Sequence, residues 1–128
     1  MPPWQILLVE DESEIRTVVS EYLEALGYDV DAVSSGKEAI ECIGDALRSY
    51  DIALVDWNMP GISGRDVVQD LLRRRPGTAV LVITGKVEPV TLPGGALADV
   101  GLLPKPFSLR DLARAIEARM ATRTDGSA

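Results

Sequence analysis

The sequence predicts an α/β fold in which a parallel β-sheet carries helices on both faces. Three short, unbroken apolar runs, at residues 6–9, 52–55 and 79–83, have the composition of strands buried on both faces. Segments with apolar residues at helical spacing alternate with these strands, which favours parallel pairing through right-handed crossovers. The 128 residues suffice for a single domain with a proper core. We expect that core to span residues 4–121, with a polar tail at 122–128.

The first half of the chain predicts two strand–helix units. The first strand leads into a helix that opens at Ser13 and that Gly27 is placed to stop. The apolar stripe of this helix consists of Ile15, Val18, Val19, Tyr22, Leu23 and Leu26. Residues 28–33 alternate between apolar and polar positions, which indicates a strand with a more exposed face. Ser35 and Glu38 form a capping-box pattern, before a second helix with the apolar face Ala39, Ile40, Ile43 and Leu47.

The third unit is built around the strand at residues 52–55. This strand ends on Asp56, and the residues that break it and force a turn are Asn58, Pro60 and Gly61. Ser63 and Asp66 resemble a weaker capping box. The helix that follows should bury Val67, Val68, Leu71 and Leu72 and end at Pro76. We expect the basic run at residues 73–75 to be solvated and to complement the dipole of its own helix.

Residues 86–100 form the weakest stretch of the pattern. Proline and glycine are dense there, at Pro89, Pro93, Gly94 and Gly95, and both residue types oppose a helix. Any helix in this stretch should therefore be short or irregular. A last strand follows at residues 101–104. Ser108 with Asp111 then opens a final helix whose apolar face is Leu109, Leu112, Ala113, Ile116 and Met120.

Composition excludes several classes of function. The net charge is −7 and the pI is near 4.5, which argues against a nucleic-acid surface, because phosphate neutralisation needs clustered Lys and Arg. With one cysteine, Cys42, and no histidine, an internal disulfide framework and His-based acid–base or zinc chemistry are excluded. The first residues carry neither a charged signal region nor a long apolar segment. We therefore expect no membrane span and a cytoplasmic location.

Polar residues stand where the predicted strands end. Glu10 and Asp11 follow the first strand, Asp56 ends the third, Thr84 ends the fourth and Lys105 follows the fifth. In a parallel sheet these ends share one edge, where α/β proteins bind ligands. Each residue alone has a simpler explanation: acids before a helix favour its dipole, and a lone Thr or Lys is usually structural or solvated. Five on one edge favour a common pocket.

The five residue types fit one chemistry. Clustered carboxylates repel one another unless a cation joins them, and oxygen ligands suit a hard ion such as Mg²⁺. The carboxylate of Asp56 is ordinarily ionised near neutral pH and can attack phosphorus without a His base, which gives an aspartyl phosphate. Thr84 can donate a hydrogen bond to a phosphoryl oxygen, and Lys105 can neutralise its charge.

Over essentially its whole length, the chain resembles the receiver domain of bacterial two-component response regulators. The segments that carry the resemblance are L-L-V-E-D-E (residues 7–12), L-V-D-W-N-M-P-G-I-S-G (54–64), V-I-T-G (82–85) and L-P-K-P-F (103–107). Each segment is weak alone, but their order and spacing are specific. The resemblance implies a flavodoxin-like, doubly wound (βα)5 fold with the strand order 2-1-3-4-5.

The resemblance also implies a role for each residue at the predicted edge. Asp56 would accept a phosphoryl group from a histidine kinase or a phosphotransfer protein. Asp11, Asp56 and the backbone carbonyl of Asn58 would bind Mg²⁺, and Glu10 would contribute through water. Two side chains, Thr84 and Lys105, would contact the phosphoryl oxygens, and the bond before Pro106 would be cis. A downstream protein partner is implied as well, but the sequence does not identify it.

Three positions depart from the family pattern. Leu102 stands where an aromatic residue usually swings inward as the threonine moves, the fourth helix falls on the weak stretch, and Glu10 replaces the commoner aspartate. We therefore expect the switch region, Leu102 with Gly85 and Lys86, to work differently. The segment after Thr84 would report phosphorylation by ordering or shifting.

The sequence leaves three alternatives open. A small aspartyl-phosphate phosphohydrolase usually carries a second carboxylate two residues after its nucleophile, where this chain has Asn58. A flavodoxin-like mononucleotide binder should have a loop of Ser, Thr and Gly where this chain has acids. A pseudo-receiver would bind partners without phosphorylation. No output domain is expected after Met120, so we expect a free-standing regulator or the receiver piece of a hybrid kinase.

Overall fold

A computed structural model describes residues 4–85 and 100–126 of the chain, without the side chains of residues 123–126. These residues contain five strands and four helices; residues 86–99, between β4 and β5, lie outside the described part of the chain. The elements are β1 (Gln5–Val9), α1 (Ser13–Ala25), β2 (Asp29–Val33), α2 (Gly36–Gly44), β3 (Ile52–Asp56), α3 (Gly64–Arg74), β4 (Ala79–Thr84), β5 (Val100–Pro104) and α4 (Leu109–Gly126).

All neighbouring strands pair in parallel, in the order β2-β1-β3-β4-β5. This confirms the predicted α/β class and strand order. β3 is buried along its whole length, whereas β2, at the edge, keeps residues partly exposed. The continuous apolar runs and the alternating run therefore predict central and edge strands correctly. β3 lies in the middle of the sheet, which places its carboxyl end at the centre of one edge.

Two separate cores cover the two faces of the sheet. One face packs α2 and α3 against alternate strand residues such as Leu7, Ala53 and Val80. The opposite face packs α1 and α4 against the intervening residues, among them Ile6, Leu54 and Leu81. Strand side chains point alternately to the two faces, so β1, β3 and β4 contribute to both cores. The helices on both faces are as predicted.

Local capping agrees only in part with the sequence pattern. The boxes at Ser63 and at Ser108 are complete, since each hydroxyl accepts from the N–H three residues on and the acid there accepts from the serine N–H. Ser35 accepts from the Glu38 N–H at 3.2 Å. The Glu38 carboxylate, however, bonds to the backbone and hydroxyl of Ser34, so the second half of that predicted box is displaced by one residue.

Two expectations about the helices are wrong in detail. Helix α2 ends at Gly44, and Leu47 lies 96% exposed, because the Asp45 side chain accepts from the Leu47 N–H at 2.9 Å and starts a turn there. In α1 only Val19 and Leu23 of the predicted stripe are buried, whereas Val18 is 50% exposed. The last helix continues to Gly126 and so includes part of the stretch at 122–128 that the sequence predicts to be a polar tail.

The basic run at the end of α3 is less solvated than predicted. Arg74 donates to the carbonyl oxygen of Ile40 at 3.3 Å, and Arg75 donates to those of Ile43 and Asp45 at 2.9 and 2.7 Å. The acceptors at Ile43 and Asp45 lie at the carboxyl end of α2, where carbonyl groups lack partners within the helix. The run therefore joins α3 to α2, while the Arg73 side chain stays 75% exposed and that of Arg74 39% exposed.

The expectation of a short or irregular helix within residues 86–100 falls almost entirely on positions outside the described residues, as does Lys86 of the switch region. Within residues 4–85 and 100–126, no helix combines the length and the apolar character needed to cross a bilayer.

Candidate functional site

Three carboxylates meet at the carboxyl edge of the sheet. Glu10 and Asp11 follow β1, and Asp56 is the last residue of β3, beside them because Val9 pairs with Val55. One oxygen from each side chain lies within 4.8 Å of the other two. Glu10 and Asp56 are only 1% and 2% exposed, while Asp11 is more accessible. The fold therefore concentrates negative charge in a largely buried place, which is unfavourable without compensation.

Lys105 supplies a positive charge to this cluster. Its Nζ lies 3.5 Å from Asp56 Oδ2 and 3.9 Å from Glu10 Oε1. The backbone holds the residue in place, since the Lys105 N–H donates to the Thr84 carbonyl at 2.8 Å, and the bond from Lys105 to Pro106 is cis. Both ion pairs are longer than a close charge-assisted hydrogen bond, so the ammonium compensates the cluster incompletely.

Asn58 and Thr84 are two further polar residues near Asp56 at this edge of the sheet. The Asn58 backbone N–H donates to Asp56 Oδ1 at 3.1 Å, and the Thr84 hydroxyl lies 3.5 Å from the Asn58 side-chain oxygen. The backbone N–H of Trp57 donates to the Ile83 carbonyl at 2.8 Å. The loop after β3 is thus attached to the end of β4, which keeps the hydroxyl of Thr84 near the acid.

The loop at residues 57–63 is also packed tightly from two sides. A Cβ atom on Gly64 would lie 2.2 Å from the Asp56 carbonyl oxygen, and one on Gly36 would lie 2.4 Å from that of Ile62. Only a residue without a side chain permits these approaches. The first turns of α2 and α3 therefore press directly on the backbone that follows the central acid.

Burial changes the acidity of two of the carboxyl groups. Desolvation raises the pKa of Glu10 to about 7, with the charge on Asp56 adding to the rise and the Glu12 N–H and Lys105 opposing it. Desolvation also raises the pKa of Asp56, against the opposing effects of the Asn58 N–H and Lys105. Both groups are therefore short of positive charge, and their oxygen donors suit a divalent cation.

Most residues predicted from the strand ends lie together. Glu10, Asp11, Asp56 and Lys105 form one cluster at this edge, the acidic pocket. Asn58 lies beside it, bonded to Asp56, and the Thr84 hydroxyl lies next to the Asn58 side chain. In the proposed switch region, Gly85 adjoins the side chain of Lys105. Leu102 lies within β5, opposite Val82, and its side chain is 51% exposed.

An apolar cavity of about 720 Å³ adjoins the acidic pocket and was not predicted. Lys105 and Gly85 border it on one side, and Ile15, Val18, Val19, Pro106, Phe107 and Leu109 contribute apolar surface. It lies between the start of α1 and the loop that leads into α4. The sequence feature that could have indicated this cavity is the width of the apolar stripe on α1, because Val18 extends the stripe beyond the part that the sheet covers.

Comparison with known proteins gives a consistent result. The family profile described as the response regulator receiver domain matches residues 6–117. Response regulator RppA of Synechocystis is 34% identical over 109 residues, 84% of this chain and 47% of that protein. Sensor kinase CckA of Brucella abortus is 35% identical over 115 residues, 88% of this chain and 12% of that protein. The chain thus spans less than half the length of either relative.

Solved structures agree with these matches. A response regulator receiver domain protein (CheY-like) from Methanospirillum hungatei superposes with a TM-score of 0.85 at 24% identity and covers 97% of this chain and 98% of its own. A response regulator receiver protein from Sinorhizobium medicae gives a TM-score of 0.81 at 26% identity, over 94% of this chain and 97% of its own. The likeness therefore extends over nearly the entire chain.

Proposed function

Because the chain belongs to the family of response regulator receiver domains, we propose that Asp56 accepts a phosphoryl group from a phosphohistidine of a histidine kinase or a phosphotransfer protein. The observation that carries this proposal is the position of Asp56: buried, within 4.8 Å of two further carboxylates and 3.5 Å from an ammonium group. A cluster that leaves carboxylates incompletely compensated is suited to receive positive charge and then a phosphoryl group.

The pocket would hold Mg²⁺. Asp11 and Asp56 would ligate it directly with the backbone carbonyl of Asn58, and Glu10 would act through water. The all-oxygen donor set and the raised pKa values of Glu10 and Asp56 support this assignment. The ion would supply charge neutralisation for the phosphoryl oxygens and for the carboxylates themselves.

The transfer itself requires little from the protein beyond position and charge. An oxygen of Asp56 forms a bond to phosphorus as the N–P bond of the phosphohistidine breaks, and the electron pair returns to the imidazole nitrogen of the donor. Lys105 and Thr84 contact the phosphoryl oxygens. Because only the ionised carboxyl group of Asp56 is nucleophilic, its raised pKa has to be offset, which Lys105 does in part.

The donor would dock on the apolar cavity beside the pocket. The cavity and the acidic site share Lys105 and Gly85, so a protein that brings a histidine to Asp56 must cover this rim. Val18, half exposed at the rim, offers apolar area to such a partner. Val18→Asp should slow transfer from a phosphorylated donor protein and leave transfer from acetyl phosphate unchanged. Equal slowing with both donors would exclude this docking surface.

Output would depend on the surface around Gly85 and Leu102. Leu102 has no aromatic ring to move inward, and its side chain is already half exposed. We infer that phosphorylation is reported by the segment after Thr84, which begins with Gly85 and Lys86. Amide exchange at residues 86–100 should change on addition of a phosphoryl mimic, and unchanged exchange would contradict this part of the proposal.

Intact mass after incubation with acetyl phosphate and Mg²⁺ tests the central proposal. We expect the wild type to gain one phosphoryl mass that hydroxylamine removes, since acyl phosphates react with it. Asp56→Asn should gain nothing. Asp70→Asn is the matched control, because Asp70 is also a buried carboxylate but lies on α3 outside the pocket. An adduct on Asp56→Asn, or none on the wild type with either acetyl phosphate or a phosphorylated kinase, would contradict the proposal.

The second candidate is a pseudo-receiver that binds partners without being phosphorylated. The half-exposed Leu102 in place of an aromatic residue favours it. A folded wild type that binds Mg²⁺ yet gains no phosphoryl mass from any donor would support this candidate. Turnover of an added phosphate ester would instead indicate a phosphohydrolase.

A further inference from the structure

Arg16 reaches back from α1 to the loop that carries two of the three carboxylates. Its Nη1 donates to the Glu10 carbonyl oxygen at 2.9 Å and lies 3.5 Å from that of Asp11. The side chain is half-buried. Because long helical side chains lean toward the start of the helix, residue 16 covers the turn before it, which is the turn that bears the acids.

The backbone N–H groups of Glu10 and Glu12 also help to hold this loop. The Glu10 N–H donates to the Val33 carbonyl at 3.1 Å, and the Glu12 N–H donates to the Glu10 carboxylate at 3.1 Å. Glu12 occupies the cap position of α1, but its side chain makes no capping hydrogen bond. Arg16 is thus the side chain from the body of α1 that engages consecutive carbonyl groups of the loop and so fixes how the loop is turned.

The orientation of these carbonyl groups determines where the carboxylates lie. Once the carbonyl groups of Glu10 and Asp11 are directed at the guanidinium, the directions of their Cα–Cβ bonds are limited. Residues that hold ligand residues in place change metal affinity by about 10- to 100-fold when removed. A contact to the backbone can have the same effect as one to the ligand side chain, since both restrict the ligand atoms.

The charge of Arg16 acts in the same direction. The loop and the start of α1 contain Glu10, Asp11, Glu12 and Glu14, whose mutual repulsion favours spreading the loop. A guanidinium group keeps its charge at every relevant pH and here sits against the backbone of the loop. Lys105, by contrast, lies among the carboxylate oxygens.

We propose that Arg16 is a positioning residue for the divalent-cation site: it holds the acidic loop so that Glu10 and Asp11 present their oxygens to a cation beside Asp56. The proposal rests on the function proposed for Asp56. It assigns to Arg16 no contact with the cation or with the phosphoryl group, and its effect passes entirely through the backbone of the loop.

The test compares Arg16→Gln, Arg16→Lys and Arg114→Gln. The last is the matched control, since Arg114 is exposed on α4 and its loss changes the net charge equally. Mg²⁺ affinity is measured from tryptophan fluorescence in a Trp4→Phe background, in which Trp57, beside the acceptor, is the remaining indole. Urea unfolding in EDTA measures the stability of each variant without metal.

We expect Arg16→Gln to weaken Mg²⁺ binding about tenfold, while Arg114→Gln stays within about twofold. Arg16→Lys should recover part of the loss, because an ammonium group can reach one carbonyl but cannot bridge two. The initial rate with acetyl phosphate should fall at low Mg²⁺ and recover at saturating Mg²⁺. This recovery separates a positioning role from a purely structural one.

Two results would overturn the inference. Unchanged Mg²⁺ affinity in Arg16→Gln, with or without lower stability in EDTA, would reduce Arg16 to a structural residue. If Arg16→Gln does not fold, wild-type affinity in the folded Arg16→Lys would have the same meaning. If the wild type itself binds no Mg²⁺, the function proposed for the Asp56 site fails. This outcome is distinct from the two above, in which the wild type binds Mg²⁺ and only the role of Arg16 fails.

Discussion

Two buried carboxylates in this domain have opposite electrostatic surroundings. Asp70 on α3 is 7% exposed and accepts hydrogen bonds from Arg73 at 2.8 Å and from Arg74 at 2.8 and 3.0 Å. Burial tends to raise its pKa, but the bonds from Arg74 and Arg73 outweigh burial and lower it. Asp56 is 2% exposed, has its ammonium partner at 3.5 Å, and its pKa is raised.

The difference shows that burial alone does not distinguish a structural acid from a reactive one. Asp70 obtains both of its partners from the next turn of its own helix, at three and four residues' distance. Asp56 and Glu10 share one ammonium, held at a distance by the β5–α4 loop. The first arrangement is complete without a ligand, whereas the second is completed only by added positive charge.

The largest expected difference between the two acids is in cation binding. Asp56→Asn should weaken Mg²⁺ binding by more than about tenfold, since loss of a direct ligand should exceed the loss of a supporting group. Asp70→Asn should change the affinity by less than about twofold. Fluorescence titration with Mg²⁺ measures the affinity of both variants. Similar losses of affinity in the two would contradict the distinction between a reactive Asp56 and a structural Asp70.

The second largest effect is a gain in the stability of the metal-free protein. Glu10→Gln should raise the free energy of unfolding at pH 8 in EDTA, by on the order of 2 kcal/mol, because a pKa unit corresponds to about 1.4 kcal/mol. The pKa of Glu10 rises from an ordinary value of 4.5 to about 7 on folding. Between these two values the folded wild type retains a proton that the unfolded chain has lost, so its stability falls as pH rises through that window.

Denaturant unfolding at a series of pH values tests this expectation. The decrease of unfolding free energy with rising pH should be less steep in Glu10→Gln than in the wild type. Mg²⁺ should make this decrease less steep in the wild type as well. A wild type whose stability is independent of pH between about 5 and 8 would contradict it.

Asp70→Asn should lower the free energy of unfolding, and by less than Glu10→Gln raises it. The variant should lose about 1 kcal/mol at pH 7, because three charge-assisted hydrogen bonds to Asp70 weaken while the arginines remain partly hydrated. The pKa of Asp70 is lowered, so its contribution is present above the unfolded pKa and is lost as pH falls through the folded one. The difference in unfolding free energy between the two proteins should therefore shrink from pH 7 to about pH 2.

The smallest effect should come from removing the contacts of Arg75 that join α3 to α2. Arg75→Lys loses the paired contacts to Ile43 and Asp45 and should lower the free energy of unfolding by about 0.5 to 1 kcal/mol. Mg²⁺ affinity should not change, because α2 ends at the opposite edge of the sheet from Asp56. A change in affinity would show that the two regions are coupled.

Much of the fold and most of the pocket were predictable because both depend on short-range patterns combined with one topological rule. Unbroken apolar runs identify central strands, and parallel pairing then brings the polar residue after each strand to one edge. Glu10, Asp56 and Lys105 are brought together in this way. No contact between side chains had to be foreseen.

The contacts of the arginines could not be predicted for a related reason. Arg16, Arg74 and Arg75 donate to backbone carbonyl groups, and such acceptors occur at every position of the chain. Which carbonyl lies within reach depends on how two elements pack. The exposure of Val18 was missed likewise, because helical spacing indicates which residues share a face but not how far the sheet extends beneath them.

The close approach of Gly64 and Gly36 to the loop between them has a consequence for sequence tolerance. A library that randomises residues 57–64 should accept many side chains at Pro60 and Ile62, which are exposed, and almost none at Gly64, where a methyl group would meet the carbonyl oxygen of Asp56. Engineers who wish to retune this signalling domain thus have a varied rim to work with, bounded by two positions that admit no side chain.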